Sequence, residues 1–237
     1  VYLPSSTQLM STSLLKRRYD SGAQVESSTL SSGAHGYQLR VRSDGAIIVA
    51  GQATTSTVAG LPTNATPQSP KPFILSLGTA QQPGWIYTTS VILRGFDFDT
   101  ETNVYTTTFI ASIWSIVKLS STGGFMWAYA LPPPTVVASL TTLVVDSQRN
   151  AVYIFGVIDD ARIHSSTTLY NGRSVFFLKL SLSGEFQVAG QYAVGMDEVL
   201  DNSWGFGSAL WRSNGRVFAL ISPGTAFGWL GQPNGHI

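Results

Sequence analysis

Apolar positions in this chain recur in short runs separated by polar turns, not at the three- and four-residue spacing of a helix. One kind of run is five residues long with a polar fourth position: Ser13-Leu14-Leu15-Lys16-Arg17, Phe73-Ile74-Leu75-Ser76-Leu77, Ser115-Ile116-Val117-Lys118-Leu119 and Phe176-Phe177-Leu178-Lys179-Leu180. Each leads past Gly22, Gly84, Gly124 or Gly184 into a second apolar segment, such as the ones that carry Trp85 with Tyr87 and Trp127 with Tyr129. Two extended segments joined by a glycine-bearing turn predict a hairpin. A second kind of segment reads strand, polar turn, strand: Leu39 to Gly51 and Leu143 to Gly156, with looser copies at Phe96 to Tyr105 and Leu210 to Phe218. The Asp, Asn and Gly residues at their centres suit a tight turn, by tolerating positive φ or by bonding the turn backbone.

The two hairpin kinds alternate along the chain, four of each, and a pair of them repeats about every 40 to 65 residues. Four strands per repeat is the content of a propeller blade. The chain begins with a lone hairpin of the first kind (about 12–30) and ends with a lone hairpin of the second (about 205–221). Pairing these two would complete a blade and remove the exposed edges of an open array. The expected fold is therefore all-β, a single β-propeller domain over residues 1–237 with four blades, its terminal hairpins completing one of them. The rivals are part of a larger propeller, or a head-to-tail assembly in which one subunit completes the blade of the next.

The pattern around Leu143-Val144-Val145-Asp146 and Asn150-Ala151-Val152-Tyr153-Ile154, followed by Phe176 to Gly184, resembles the β-propeller repeat known as the SBBP family. More distantly it is similar to kelch-type and other extracellular propellers. The resemblance is densest from Trp114 to Gly195. It implies a propeller of extracellular and cell-surface proteins, with scaffold or binding roles and no fixed chemistry.

Composition narrows the reading. Charged residues make up 11% of the 237 and hydrophobic residues 43%, which excludes disorder driven by high charge and low hydrophobicity. A net charge of +1 argues against a nucleic-acid partner or an anionic membrane surface. The 29 Ser and 23 Thr take surface places that Lys and Glu fill elsewhere, and with low Lys they favour secretion. There is no cysteine, hence no disulfide, thiolate metal site or thiol nucleophile. The longest apolar stretch, around Phe109 to Val117, falls short of the roughly 20 residues of a membrane span. The chain opens on Val1 without a signal-peptide pattern, as a processed polypeptide would.

Candidate chemistry is sparse. Two insertions, Gln52 to Lys71 and Val157 to Arg173, read as long surface loops, and the first carries the sequon Asn64-Ala65-Thr66, which makes Asn64 a glycosylation candidate. Pro132-Pro133-Pro134 reads as a stiff linker. Asp97, Asp99, Glu101 and Asn103 alternate as calcium ligands do, but Thr102 and Thr108 stand where that loop needs Gly and Glu, so a strand-turn-strand with its acids facing solvent is the better reading. His35, His164 and His236 have no partner at metal or triad spacing. A glycosidase would need two carboxylates at a common mouth, and Asp159, Asp160, Asp197, Glu198 and Asp201 are the candidates, none singled out by spacing. Trp85, Trp114 and Trp127 fall at repeat positions and read as core, whereas Trp204 and Trp229 are the candidates for ligand or subunit contact. No catalytic residue, metal or cofactor is expected. The function that fits is a non-enzymatic extracellular structural or adhesive propeller, a subunit or domain of a larger surface or filamentous assembly, with self-association or other surface proteins as partners. The alternatives are a carbohydrate-binding propeller and a propeller glycoside hydrolase.

Overall fold

The computed structural model describes the backbone of residues 11–17, 24–42, 44–80, 82–89, 93, 95–110, 113–131, 136–167, 169, 171–193, 209–213, 216–221 and 228–229, with side chains over most of residues 30–191. Among the described residues the chain is all-β, with one 3-10 turn at Ser147–Arg149. No helix among the described residues is long and apolar enough to cross a membrane. The strands are β1 (Ser11–Arg17), β2 (Gln24–Ser32), β3 (Ala34–Val41), β4 (Ile47–Ala53), β5 (Thr57–Val58), β6 (Leu61–Pro62), β7 (Lys71–Leu77), β8 (Pro83–Thr88), β9 (Phe96–Phe98), β10 (Val104–Ile110), β11 (Ile113–Leu119) and β12 (Phe125–Ala130). They continue with β13 (Val136–Asp146), β14 (Ala151–Asp159), β15 (Arg173–Leu180), β16 (Phe186–Ala193), β17 (Ala209–Ser213), β18 (Arg216–Ile221) and β19 (Gly228–Trp229).

Three four-stranded sheets result, in the orders β3-β4-β7-β8, β9-β10-β11-β12 and β13-β14-β15-β16, and each unites one hairpin of each predicted kind. The register of the best-supported repeat is as the sequence implies, with Val145 opposite Val152 and the turn between Asp146 and Asn150. The buried Asp146 carboxylate accepts the Arg149 N–H and is paired with the Arg149 guanidinium at 2.9 Å, while Asn150 takes φ 50°. At the two ends β1-β2 is a two-stranded sheet and β17-β18-β19 a three-stranded one, with no ladder joining them among the described residues.

The chain divides into two compact units, Val1–Leu93 with Thr102–Val104 and Leu119–Phe125, and Arg94–Glu101 with Tyr105–Lys118 and Met126–Ile237. In the first, Leu30, Ala34, Val49, Ala53, Val58, Ala65, Phe73, Leu75 and Leu77 form a core. Val58 and Ala65 come from the predicted surface loop, which holds the small hairpin β5-β6 and turns those two residues inward. Length and polarity hid this, because two apolar residues in a Ser/Thr/Pro-rich stretch give no period.

In the second unit β14 is buried along nearly its whole length. Val152, Ile154 and Ile158 enter one cluster with Ile116, Leu143, Phe176 and Leu178, and Ala151, Tyr153 and Phe155 enter another with Phe177 on the opposite face. A central strand covered on both faces has no polar alternation to show.

The turns at 42–46, 120–124 and 181–185 share one geometry, with a glycine N–H donating three residues back and a closing bond across five, and the glycines in left-handed conformation are Gly45, Gly123 and Gly184. The turn glycine of the third run is thus Gly123 and not Gly124, and Gly84 lies within β8. Gly123 and Gly184 also lie under tryptophans. In the first unit a Cβ on Gly123 would come 2.7 Å from Cδ2 of Trp85, whose Nε1 donates to the Ser121 carbonyl at 2.8 Å. In the second unit a Cβ on Gly184 would come 3.0 Å from Cδ2 of Trp127, whose Nε1 donates to the Leu182 carbonyl at 3.3 Å.

Two causes make glycine necessary at position 184, the left-handed φ of 89° and the indole above it, whereas Gly172, at φ 92°, has open space around its missing Cβ. Both Gly184→Ala and Gly172→Ala should therefore lose about 1–2 kcal/mol to backbone strain, and Gly184→Ala should lose more because Trp127 must move. Urea unfolding of the two variants measures the difference.

Candidate functional site

The second unit contains a cleft of about 530 Å³ lined by Asp99, Thr100, Glu101, Lys118, Met126, Trp127, Ser147, Asn150, Leu182 and Ser183. Its walls come from the turn after β9, from β11 and β12, from the 3-10 turn after β13, and from the turn between β15 and β16. The Thr100 N–H donates to Ser147 Oγ at 3.0 Å, the Leu182 N–H donates to Asn150 Oδ1 at 3.2 Å, and the Val145 N–H donates to Asp97 Oδ2 at 2.9 Å. The Thr100–Ser147 and Val145–Asp97 bonds stitch the third four-stranded sheet to the second, and the Leu182–Asn150 bond ties two turns of the third sheet to each other.

A charged cluster forms part of the cleft wall. The Asp99 and Lys118 side chains, 4% and 10% exposed, approach to 3.5 Å, and the Tyr105 hydroxyl donates to Asp99 Oδ2 at 2.9 Å. Lys118 Nζ stands 5.1 Å from the Tyr105 ring centroid and donates to the Leu182 carbonyl at 3.3 Å. The edge of Tyr105 meets Trp127 at 5.9 Å between centroids. Burial pushes the Tyr105 phenol far above its ordinary value of 10.0, and the hydrogen bond to Asp99 and the charges of Asp99 and Glu101 raise it further. A phenol held protonated, an ammonium and a carboxylate that neutralise each other, and one carbonyl receiving both Lys118 and Trp127 form a satisfied polar knot.

The acids of residues 97–103 therefore do not simply face solvent. Asp99 and Asn103 are buried and Asp97 accepts a backbone bond from the next sheet, while Glu101 is exposed at the cleft. The short polar turn bends back between two sheets, a long-range outcome that alternation within seven residues cannot encode. Tyr105, Lys118 and Leu182 were not identified as site residues from the sequence. The signal was the polar fourth position of the apolar run, since a polar residue recurring in a buried strand must find partners: Ser76 and Lys118 are buried, and Lys179 Nζ lies 5.6 Å from the Tyr153 ring centroid.

The other sequence candidates are scattered. Asn64 is exposed with φ 55°. His35 is exposed on β3, and His164 stacks on Phe186 at 3.7 Å. Asp160 closes the 160–172 insertion by accepting the Gly172 N–H, and Asp159 ends β14. Trp85, Trp114 and Trp127 are half-buried, Trp114 meeting Phe109 edge-on at 5.3 Å. Asp197, Glu198, Asp201, Trp204, His236 and Pro132 to Pro134 lie outside the described residues, as does the side chain of Trp229 in β19. Among the described residues, no three His, Cys, Asp or Glu are gathered as a metal site would need.

Removing Lys118 would leave Asp99 charged and buried without its cation. Lys118→Met should lower unfolding free energy by about 3–5 kcal/mol, and Lys118→Met combined with Asp99→Asn should recover part of that loss in a double-mutant cycle by urea titration. The raised Tyr105 phenol sets a pH dependence. Below pH 10.0, the unfolded value, folded and unfolded chains hold this proton alike. Above it the unfolded chain releases the proton first, so stability falls as pH rises. Tyr87, Tyr129 and Tyr153 are raised mainly by burial and share this sign. Tyr105→Phe should therefore make the alkaline decline in melting temperature shallower without removing it.

No protein-family model matches the chain, and no curated protein matches it. Among solved structures it is similar to Pyrococcus horikoshii acylaminoacyl peptidase, uncomplexed, at 7% identity and TM-score 0.49 over 81% of this chain and 28% of that one. It is also similar to a Bacteroides caccae protein of unknown function, at 13% identity and TM-score 0.48 over 86% of this chain and 61% of that one. The chain thus spans less than two thirds of the length of either, and neither likeness assigns a family or an activity.

Proposed function

We propose that this chain is a four-bladed β-propeller of the SBBP type, its terminal hairpins completing one blade, and that it serves as a non-enzymatic extracellular structural or adhesive module. The three four-stranded sheets and the repeated indole-over-glycine contact support the propeller reading, since equivalent sheets joined by equivalent contacts are what a radial repeat requires. The observation that carries the functional reading is the commitment of the ionisable groups at the cleft. Asp99, Tyr105 and Lys118 bond one another and the Leu182 carbonyl, an arrangement that holds sheets together and leaves this acid and this base engaged. Asn64, exposed in the first insertion, is the proposed glycan acceptor.

Native material tests this at three levels. Negative-stain microscopy should give compact rings or regular assemblies of them, and mass spectrometry should find a glycan on the Asn64 peptide. A panel of glycoside, ester and peptide substrates should show no turnover. Turnover that Glu101→Gln abolishes would overturn the non-enzymatic reading.

A further inference from the structure

We propose that two copies of this chain pair edge to edge, antiparallel, through β12. The proposal deepens the reading of the chain as a structural module and rests on it for its role. β12 ends its sheet, with β11 as its neighbour on one side. Its residues, Phe125-Met126-Trp127-Ala128-Tyr129-Ala130, include no charge, no proline and no glycine. Soluble proteins commonly blunt an edge strand with lysine, proline or a bulge, because an open row of N–H and C=O groups templates another strand. The outer strands of the other two sheets carry such interruptions. β8 opens on Pro83-Gly84 with a register break beside it. β16 contains Gly190 and a register break between Phe186 and Val188, and turns Gln191 inward to bond Ala161 and Ser174.

A second copy fits this edge better than a peptide of different composition. A two-fold axis at Ala128 sets Ala128 opposite its own copy, Trp127 opposite Tyr129, and Met126 opposite Ala130. The smallest side chains then meet at the axis, two aromatics form a cross-strand pair, and methionine lies over alanine. Such an isologous contact closes as a dimer, and each edge group finds its complement on the other copy. Trp127 and Tyr129 are half-buried against their own core, so Met126, Ala128 and Ala130 form the exposed side of the joint. Like charges do not oppose one another across the strand, and the net charge of +1 supplies little repulsion between copies. A charged partner segment would find no countercharge there.

Sedimentation equilibrium of the full chain over a concentration series tests the pairing. The natural sequence should show a monomer–dimer equilibrium. Ala128→Lys should weaken dimerisation by at least about tenfold while leaving the melting temperature unchanged at dilutions where the natural chain is monomeric, since the residue is exposed. Mixing Ala128→Lys with Ala128→Glu should restore the dimer by opposing unlike charges at the axis. Should Ala128→Lys lower the melting temperature of the monomer, Met126→Lys on the same exposed side replaces it, and its mixture with Ala130→Glu should recover the dimer, because Met126 faces Ala130 across the axis. A natural chain monomeric throughout, a lysine variant that dimerises as tightly as the natural chain, or a mixture that fails to recover overturns the proposal. An assembly whose size the variants leave unchanged would sink the edge pairing and leave the structural-module reading standing, whereas substrate turnover would sink that reading without touching the edge.

Discussion

The carbonyl of Leu182 is the point on which the packing of the second unit depends. It sits in a tight turn between β15 and β16 and accepts from Lys118 Nζ and Trp127 Nε1, with the Tyr105 hydroxyl 3.4 Å away. A carbonyl has two lone pairs, and burying it with charged and indole donors aligned is favourable only if the turn is held rigidly. Gly184 permits that turn by taking φ 89° and by letting the indole lie on the backbone. The Leu182 N–H is held in turn by Asn150, itself at φ 50° after the 3-10 turn. Sheet position, turn conformation and the charged cluster are thus one arrangement, and disturbing any of them exposes the other two.

The cost of this design lies in Asp99 and Lys118. Two opposite charges removed from water recover their solvation only where geometry and further hydrogen bonds are good. At 3.5 Å the pair is not a close one, and the remaining satisfaction comes from the Tyr105 hydroxyl on the acid and the Leu182 carbonyl and Tyr105 ring on the base. A hydrophobic pair could fill the same volume. What the polar cluster adds is direction, because a lysine reaching for one carbonyl and one carboxylate fixes the turn after β9 against the turn after β15 in a single register.

Strand positions were readable because each depends on its own few residues. Val145 opposite Val152 follows from a turn whose Asp146 and Asn150 announce it locally. The β5-β6 hairpin and the inward Val58 and Ala65 were not readable, since their burial depends on Leu30, Phe73 and Leu75 arriving from elsewhere. The acids of 97–103 show the same division. Their turn was evident, while the partners that bury Asp99, Lys118 in β11 and Tyr105 in β10, come from strands with their own repeat logic. The glycine offset at 123 and 124 belongs to the same class, because two adjacent glycines are equivalent in a pattern and only one is left-handed in the turn.

The indole-over-glycine contact is made by Trp85 and by Trp127, each with a hydrogen bond to a turn carbonyl. By distance from its turn, the third four-stranded sheet places Val188 where those tryptophans stand, and Val188 is 44% exposed. Valine has no donor for a carbonyl and far less area than an indole, which buries about 150–250 Å². The device that fastens one sheet to the following turn is therefore complete at two positions and lacking at the third. That asymmetry is written into single side chains, not into the strand pattern, which repeats through β16 without change. A repeat can keep its strands constant while varying the residue that fastens them, and in this chain the variation falls on the outer strand, where a side chain answers to a neighbouring turn instead of to its own sheet.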